Sequence, residues 1–413
     1  MSIVRRAVVL AASTTLAAVA LAPAPAGSAG ALPQPRHHGH AESAHVVLDW
    51  ERTLLRTVYT EHVTPIPVGI PSLGFTSMAM HDAATRARHQ HRRTSAAAAV
   101  ARAAHDVLVE YFPASTDALD GDLATSLASV PDGPAEDRGV RAGRRAAATM
   151  IADRADDGRG DASVVYARTP APGVWQPGAG AAMVAPWLGF VDPLVSRRPI
   201  RVNGPDPIDS AEYAADLLEV KRVGRATDAD RTDHQTETAM FFNSNPPVMY
   251  TDALVRHLET RPLGLLATTR LFARMHGAMT DSVITVWRLK YDVGFWRPFQ
   301  AIQGAADDGN PATVPDPDWA PLVPNPQYAD YVSGHAGMTG PAAAVIRRTL
   351  GDATPLLLRS PVTGTEREYA TLSELEFDAF HARIWGGLHF RDAMEDGYRI
   401  GHVAARRAMA RID

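Results

Sequence analysis

Residues 271–302, LFARMHGAMTDSVITVWRLKYDVGFWRPFQAI, decide the fold class. Phe272, Met275, Met279, Val286, Leu289 and Val293 recur at helical spacing, so the segment up to Gly294 reads as one long amphipathic helix. Gly294 loosens that helix, and Pro298 biases Arg297 out of the α region. Lys290 and Arg297 lie seven residues apart, about two turns, so an ammonium and a guanidinium meet where the chain leaves the helix. Of the 41 Lys and Arg residues, only Lys221 and Lys290 are lysine. A chain that otherwise writes its positive charge as arginine has kept a compact ammonium here.

Working outward, the pattern stays helical. Between residues 74 and 158 the Ala-rich segments SMAMHDAATRAR, SAAAAVARAAHDVLVEYF and RGVRAGRRAAATMIADRA carry high helix propensity. Pro113, Ser115 and the Asp-Gly-Pro at 132–134 punctuate them. Residues 159–208 are rich in Gly and Pro and read as a long ordered excursion, after which helices resume at about 210 and run to the end. Alternation of the strand type is scarce. The expected fold is all-α, built of packed helical bundles. Residues 1–31 read as a signal peptide, with Arg5 and Arg6 ahead of an apolar run and small residues at a cleavage point. A disordered linker at 32–48, an N-terminal helical half at 49–208 and a C-terminal half at 209–413 complete the expected organisation. The mature chain is expected to be secreted or extracytoplasmic, with no membrane span.

The composition excludes several classes. With 413 residues, 46% of them hydrophobic, the chain is globular, and its net charge of −5 argues against a nucleic-acid partner. The absence of cysteine removes disulfides, zinc-thiolate sites and thiol nucleophiles. No Walker loop, G-x-S-x-G elbow or H-E-x-x-H helix occurs. His37, His38, His40 and His45 form a His-rich tract of the kind that binds metals, which a solvated tail explains as well. His81 and Asp82, on an Ala/Met-rich helix, read as a buried polar pair.

Two further segments join Lys290 and Arg297. Ser333 is a good N-cap for the helix that GHAGMTGPAAAVIRRTL begins, so the Gly334 and His335 amides sit at the positive end of its dipole. His335 in that first turn is placed to exchange a proton with a bound anion. Downstream, Gly386-Gly387 breaks a helix so that Arg383 and His389, six residues apart, converge. Asp392 and Asp396 follow and are candidates to orient the His389 ring. Lysine, two arginines, a serine-capped helix start and two histidines together make a cage for a tetrahedral oxyanion.

Lys290…Arg297-Pro298, Ser333-Gly334-His335 and Arg383…His389, in that order, resemble the superfamily that unites vanadium-dependent haloperoxidases with type 2 phosphatidic acid phosphatases and bacterial acid phosphatases. Phe295-Trp296-Arg297-Pro298 looks like the haloperoxidase form of the first block. Val332 stands where the family commonly has proline, and Ala393 where it commonly has an aspartate four residues after the histidine. The resemblance implies a helical fold of the vanadium haloperoxidase and acid phosphatase type. It implies vanadate, or phosphate in the same cage, bound by Lys290, Arg297, Ser333, Gly334, Arg383 and His389, with His389 as the single metal ligand. Lys290, His335 and His389 would be the catalytic residues. The implied activity is oxidation of halide by hydrogen peroxide through a histidine-bound peroxovanadate, with an organic acceptor. The alternative is an acid phosphatase acting through a phosphohistidine at His389. A non-catalytic oxyanion- or metal-binding secreted protein is the reading of another class. Homo-oligomerisation is compatible with the sequence.

Overall fold

A computed structural model describes residues 42–90 and 94–413. The expected signal peptide, most of the linker and His37, His38 and His40 lie outside the described residues. Among those residues there are thirteen α-helices: α1 (His45–Leu55), α2 (Ile66–His89), α3 (Ala96–Tyr111), α4 (Thr116–Ala128), α5 (Pro134–Asp153), α6 (Ala211–Val223), α7 (Asp233–Phe241), α8 (Pro246–Thr260), α9 (Leu265–Val293), α10 (Pro298–Gln303), α11 (Gly334–Leu350), α12 (Leu372–Trp385) and α13 (Arg391–Arg411). The all-α expectation holds, and none of the described helices is long and apolar enough to cross a membrane. The one departure is an antiparallel hairpin, β1 (Leu356–Ser360) with β2 (Thr365–Tyr369), paired in register from Leu356–Tyr369 to Ser360–Thr365. Only Leu356, Leu358, Ser360 and Tyr369 of the hairpin face the core, too short an alternation to read in the sequence. Helix α1 begins at His45, inside the stretch expected as linker.

Helix α9 is the axis of the molecule. It packs against α2 on one side and against α11 and α13 on the other. Its apolar stripe, with Phe272, Met275, Met279, Val283 and Val286 buried, explains why 29 residues hold as one helix. In the N-terminal region α3 and α5 approach closely through Ala99, Ala103, Ala142 and Ala146, all buried. The Gly/Pro-rich excursion is ordered and contains a short 3₁₀ turn, Pro186–Phe190. The amides of Leu194, Val195 and Ser196 donate to the Asp281 carboxylate at 2.7, 3.1 and 2.8 Å. Farther along α9, Trp287 Nε1 donates to the Val184 carbonyl at 3.1 Å and the Trp175 amide to Gly294 at 2.8 Å. The excursion therefore wraps the end of α9 that carries Lys290.

His81 is buried as expected, but it does not pair with Asp82. Its ring meets Thr269 Oγ1 at 3.2 Å and the Asp413 main-chain oxygen at 2.5 Å, while Asp82 accepts from Arg86 one turn on, at the surface. A carboxylate next in sequence on a helix faces away from its neighbour, and a partner four residues on is closer.

A second buried polar cluster lies where α1, α2, α8 and α9 meet. Ser77 Oγ donates to Glu51 Oε1 at 2.9 Å, lies 2.8 Å from His276 Nδ1, and His276 Nε2 lies 2.9 Å from Thr251 Oγ1. Burial pushes the Glu51 carboxyl up to about 8 and the His276 imidazole down to about 3. The raised carboxyl makes the folded state hold a proton that the unfolded state has lost, so its contribution to stability falls as pH rises from 4.5 to about 8. The depressed histidine acts oppositely below its ordinary value of 6.5, which leaves a net decline from this cluster between about pH 6.5 and 8. Glu51→Gln is expected to be more stable than the parent by a margin that grows with pH, on the order of 1 kcal/mol per unit. Urea midpoints of both proteins from pH 5 to 9 check this; parallel curves would show that Glu51 is not the source.

Candidate oxyanion site

The three segments singled out in the sequence meet. Helix α9 ends at Val293, with Gly294 in the left-handed region at φ 60°, a conformation that an L side chain rarely adopts. The chain then turns back, and Pro298 opens α10 at N1, leaving Arg297 extended at the N-cap. Lys290 and Arg297 are both fully buried. Lys290 Nζ donates to the carbonyls of Ala329 and Asp330 at 2.7 and 2.9 Å. Arg297 Nε donates to the Tyr328 carbonyl at 2.9 Å and Nη1 to that of Leu388 at 2.8 Å. The Tyr328 ring lies 5.0 Å from Lys290 Nζ and 5.1 Å from Arg297 Cζ, a wall that two cations share.

Ser333 caps α11, its hydroxyl accepting from the Ala336 amide at 3.3 Å. The first-turn amides of Gly334 and His335 lie outside the intrahelical ladder and face the dipole's positive end. Helix α13 seats this turn: Ser333 donates its amide to the Ala393 carbonyl at 2.9 Å. Gly397 allows the approach, because a Cβ there would come within 2.7 Å of Ala336 Cβ. His335 Nε2 lies 3.2 Å from the Ser244 carbonyl. Burial and the neighbouring Arg383 hold its imidazolium well below the usual histidine range.

Arg383 closes α12, and His389 stands two residues ahead of α13 rather than in its first turn. Arg383 donates from Nη1 to the Phe242 carbonyl at 3.3 Å, and burial pushes it down to about 9. His389 Nε2 lies 3.2 Å from Arg297 Nη1, and Nδ1 lies 2.7 Å from Asp330 Oδ1. A guanidinium only donates, so Nε2 carries the lone pair and Nδ1 carries the hydrogen that Asp330 accepts. Burial pushes the Asp330 carboxyl upward while Arg297 and Lys290 pull it down. Oδ1 accepts from His389 in either protonation state, and the Arg297 and Lys290 charges beside it are what favour the carboxylate against its burial.

Asp330 was not foreseen, and it corrects the expectation for Asp392 and Asp396. Asp392 accepts from the Asp206 amide at 3.1 Å, and Asp396 accepts from the Tyr331 hydroxyl at 2.6 Å. Neither is bonded to His389. On the first turns of α13 the Asp392 carboxylate is taken up by the excursion and that of Asp396 by Tyr331, and the ring is served instead by Asp330 of the loop before Ser333. Among the described residues, which exclude His37, His38 and His40, no group of three or more His, Asp or Glu is placed to hold a metal ion.

The charge balance indicates the guest. Among the described residues, Lys290, Arg297 and Arg383 bring three cations to one buried locus, where the Asp330 carboxylate pairs with Arg297. Arg297 Nη2 and Arg383 Nε are buried with no hydrogen-bond partner among the described residues. Buried donors and charges of this kind are stable only when paired. A multiply charged tetrahedral oxyanion supplies acceptors for both orphans, and the His389 Nε2 lone pair supplies one inner-sphere ligand. The residues therefore fit a histidine-held oxyanion.

Residues 270–413 match the family model of the VCPO second helical-bundle domain. Vanadium chloroperoxidase of Curvularia inaequalis is 37% identical over 89 residues, covering 19% of this chain and 14% of that protein's length. The first bacterial vanadium-dependent iodoperoxidase superposes with a TM-score of 0.71 at 19% identity, over 90% of this chain and 97% of the other. A holo-type bacterial vanadium-dependent chloroperoxidase gives 0.65 at 15% identity, over 84% and 92%. The chain has the fold of these proteins, and its C-terminal third is a helical-bundle domain of their type.

Proposed function

We propose that this chain, with its vanadium haloperoxidase fold, is an extracytoplasmic enzyme that oxidises halide with hydrogen peroxide, using vanadate held on His389. The observation that carries the reading is the His389 Nε2 lone pair, set by Asp330 and directed into a buried cluster of cations with unpartnered donors. Vanadate bound there supplies a Lewis-acidic centre that activates peroxide toward a two-electron oxidation. The protein's own contribution is electrostatic. Lys290, Arg297 and Arg383 are fixed before the reaction and meet negative charge in a site sheltered from water. The Ser333 hydroxyl and the Gly334 amide donate along the helix dipole. His335 takes the proton of the incoming peroxide. Tyr328 and Trp287, with ring centroids 5.1 Å apart, form an apolar wall beside Lys290 for a weakly hydrated halide.

Phosphate fits the same cage, so two assays on one preparation separate the readings. Bromination of an organic acceptor is expected to require added vanadate and peroxide, and to be suppressed by excess phosphate. Hydrolysis of a phosphomonoester, inhibited by vanadate and unaccompanied by bromination, would assign the site to an acid phosphatase with a phosphohistidine at His389. Loss of both activities on deleting residues 37–45, with His389→Ala unaffected, would instead place function in the His-rich tract.

A further inference from the structure

The segment between α7 and α8, residues 242–245, meets the site through two backbone carbonyls. The Phe242 carbonyl accepts from Arg383 Nη1, and two residues on the Ser244 carbonyl faces His335 Nε2 at 3.2 Å. Residues 242–244 form a tight turn off the end of α7, with Phe242 at φ −83° and ψ 2°, and that turn presents two carbonyls, two residues apart, to both side chains. Both of its ends are pinned. On the α7 side, Arg367 of β2 donates to Thr238 Oγ1 at 2.6 Å and stacks 4.9 Å over the Phe241 ring. On the α8 side, the Asn245 side chain accepts from the Val248 amide at 3.3 Å, and Pro246 and Pro247 fill N1 and N2.

A carbonyl oxygen has no proton to give, so the hydrogen of this bond belongs to His335 Nε2. The remaining ring nitrogen, Nδ1, then carries the lone pair of the ring. We propose that residues 242–245 lock His335 in the Nε2–H tautomer, which makes Nδ1 a proton acceptor, and that Asn245 is the positioning residue that holds the lock. The two histidines of the site are thereby set apart. His389 rests on a carboxylate and offers Nε2, whereas His335 rests on a carbonyl and offers Nδ1. When hydrogen peroxide arrives, an O–H bond breaks, the proton passes to His335 Nδ1, the ring becomes imidazolium, and a hydroperoxide anion is left as nucleophile. A ring that starts as an acceptor suits this step better than protonation of a departing alcohol. The inference rests on the proposed function for the identity of the proton donor but not for the tautomer.

The test uses the full chain with isotope-labelled histidine. Heteronuclear NMR of the imidazole nitrogens, with the His335 signals assigned by their loss in His335→Gln, is expected to show hydrogen on Nε2. In Asn245→Ala the signals should shift toward a tautomer mixture. The kcat of bromide oxidation should fall about tenfold at an unchanged bromide KM, a fraction of what a positioned general base supplies. Asn245→Asp, which keeps the cap, should restore both. Hydrogen on Nδ1 in the parent protein overturns the proposal whether or not Asn245→Ala folds. So does an Asn245→Ala protein that loses kcat while its His335 spectrum is unchanged, since that is a merely structural effect. An Nε2–H tautomer in a protein with no bromination activity would leave the lock standing and overturn the haloperoxidase reading instead.

Discussion

His389→Ala is expected to fold as the parent does and to lose vanadate-dependent bromide oxidation by about a thousandfold or more, roughly 4 kcal/mol of transition-state stabilisation. The imidazole is buried, but it stands in the connection between α12 and α13, whose packing is carried by Phe390, Ala393, Met394 and Ile384. Removing the ring leaves those contacts in place. It takes away the lone pair that Asp330 sets toward Arg297, which Lys290, Arg297 and Arg383 cannot replace because they only donate, while the His335 ring is held on Ser244 and its free nitrogen is the proton acceptor. Circular dichroism and the thermal midpoint check the fold, and bromination with saturating vanadate checks the loss. Retention of a tenth or more of the activity would mean that the reacting centre is held elsewhere.

Asp330→Asn should weaken vanadate binding by about ten- to a hundredfold, the usual cost of removing a ligand's outer hydrogen-bond partner. The substitution keeps the volume and an acceptor oxygen, so His389 can still place its Nδ1–H. What is lost is the charge. The carboxylate raises the basicity of Nε2 and faces the buried Arg297 guanidinium at 3.9 Å. Its removal weakens the ligand while increasing the repulsion between Lys290 and Arg297. Equilibrium dialysis against orthovanadate measures the affinity without relying on turnover. Unchanged affinity would show that Asp330 serves packing alone, and Asp392→Asn, expected to bind as the parent does, is the matched control.

The legible and illegible parts of this protein divide along one physical line. Local rules carried far: the apolar stripe gave α9, Gly294 and Pro298 placed Arg297 at a chain reversal, Ser333 marked the start of α11, and Gly386-Gly387 brought Arg383 and His389 to one place. Each depends on neighbours within a turn or two. Asp330 could not be found that way, because it meets His389 across 59 residues of chain through a loop without regular structure. Spacing along the chain points instead to the nearer aspartates, Asp392 and Asp396, which the start of α13 at Arg391 carries away from the ring. The carbonyls of Phe242 and Ser244 left even less trace, since a backbone acceptor is the same atom whatever residue bears it. The pairing of α3 with α5 was likewise hidden in an alanine pattern that codes helix strongly and partner weakly.

The position of bound vanadate in crystals of the intact protein soaked with orthovanadate is the most direct measurement. Density continuous with His389 Nε2, with its oxygens met by Lys290, Arg297, Arg383, Ser333 and the Gly334 amide, is the predicted result. Vanadate seated on other residues, with His389 left bonded only to Asp330 and Arg297, would contradict the account.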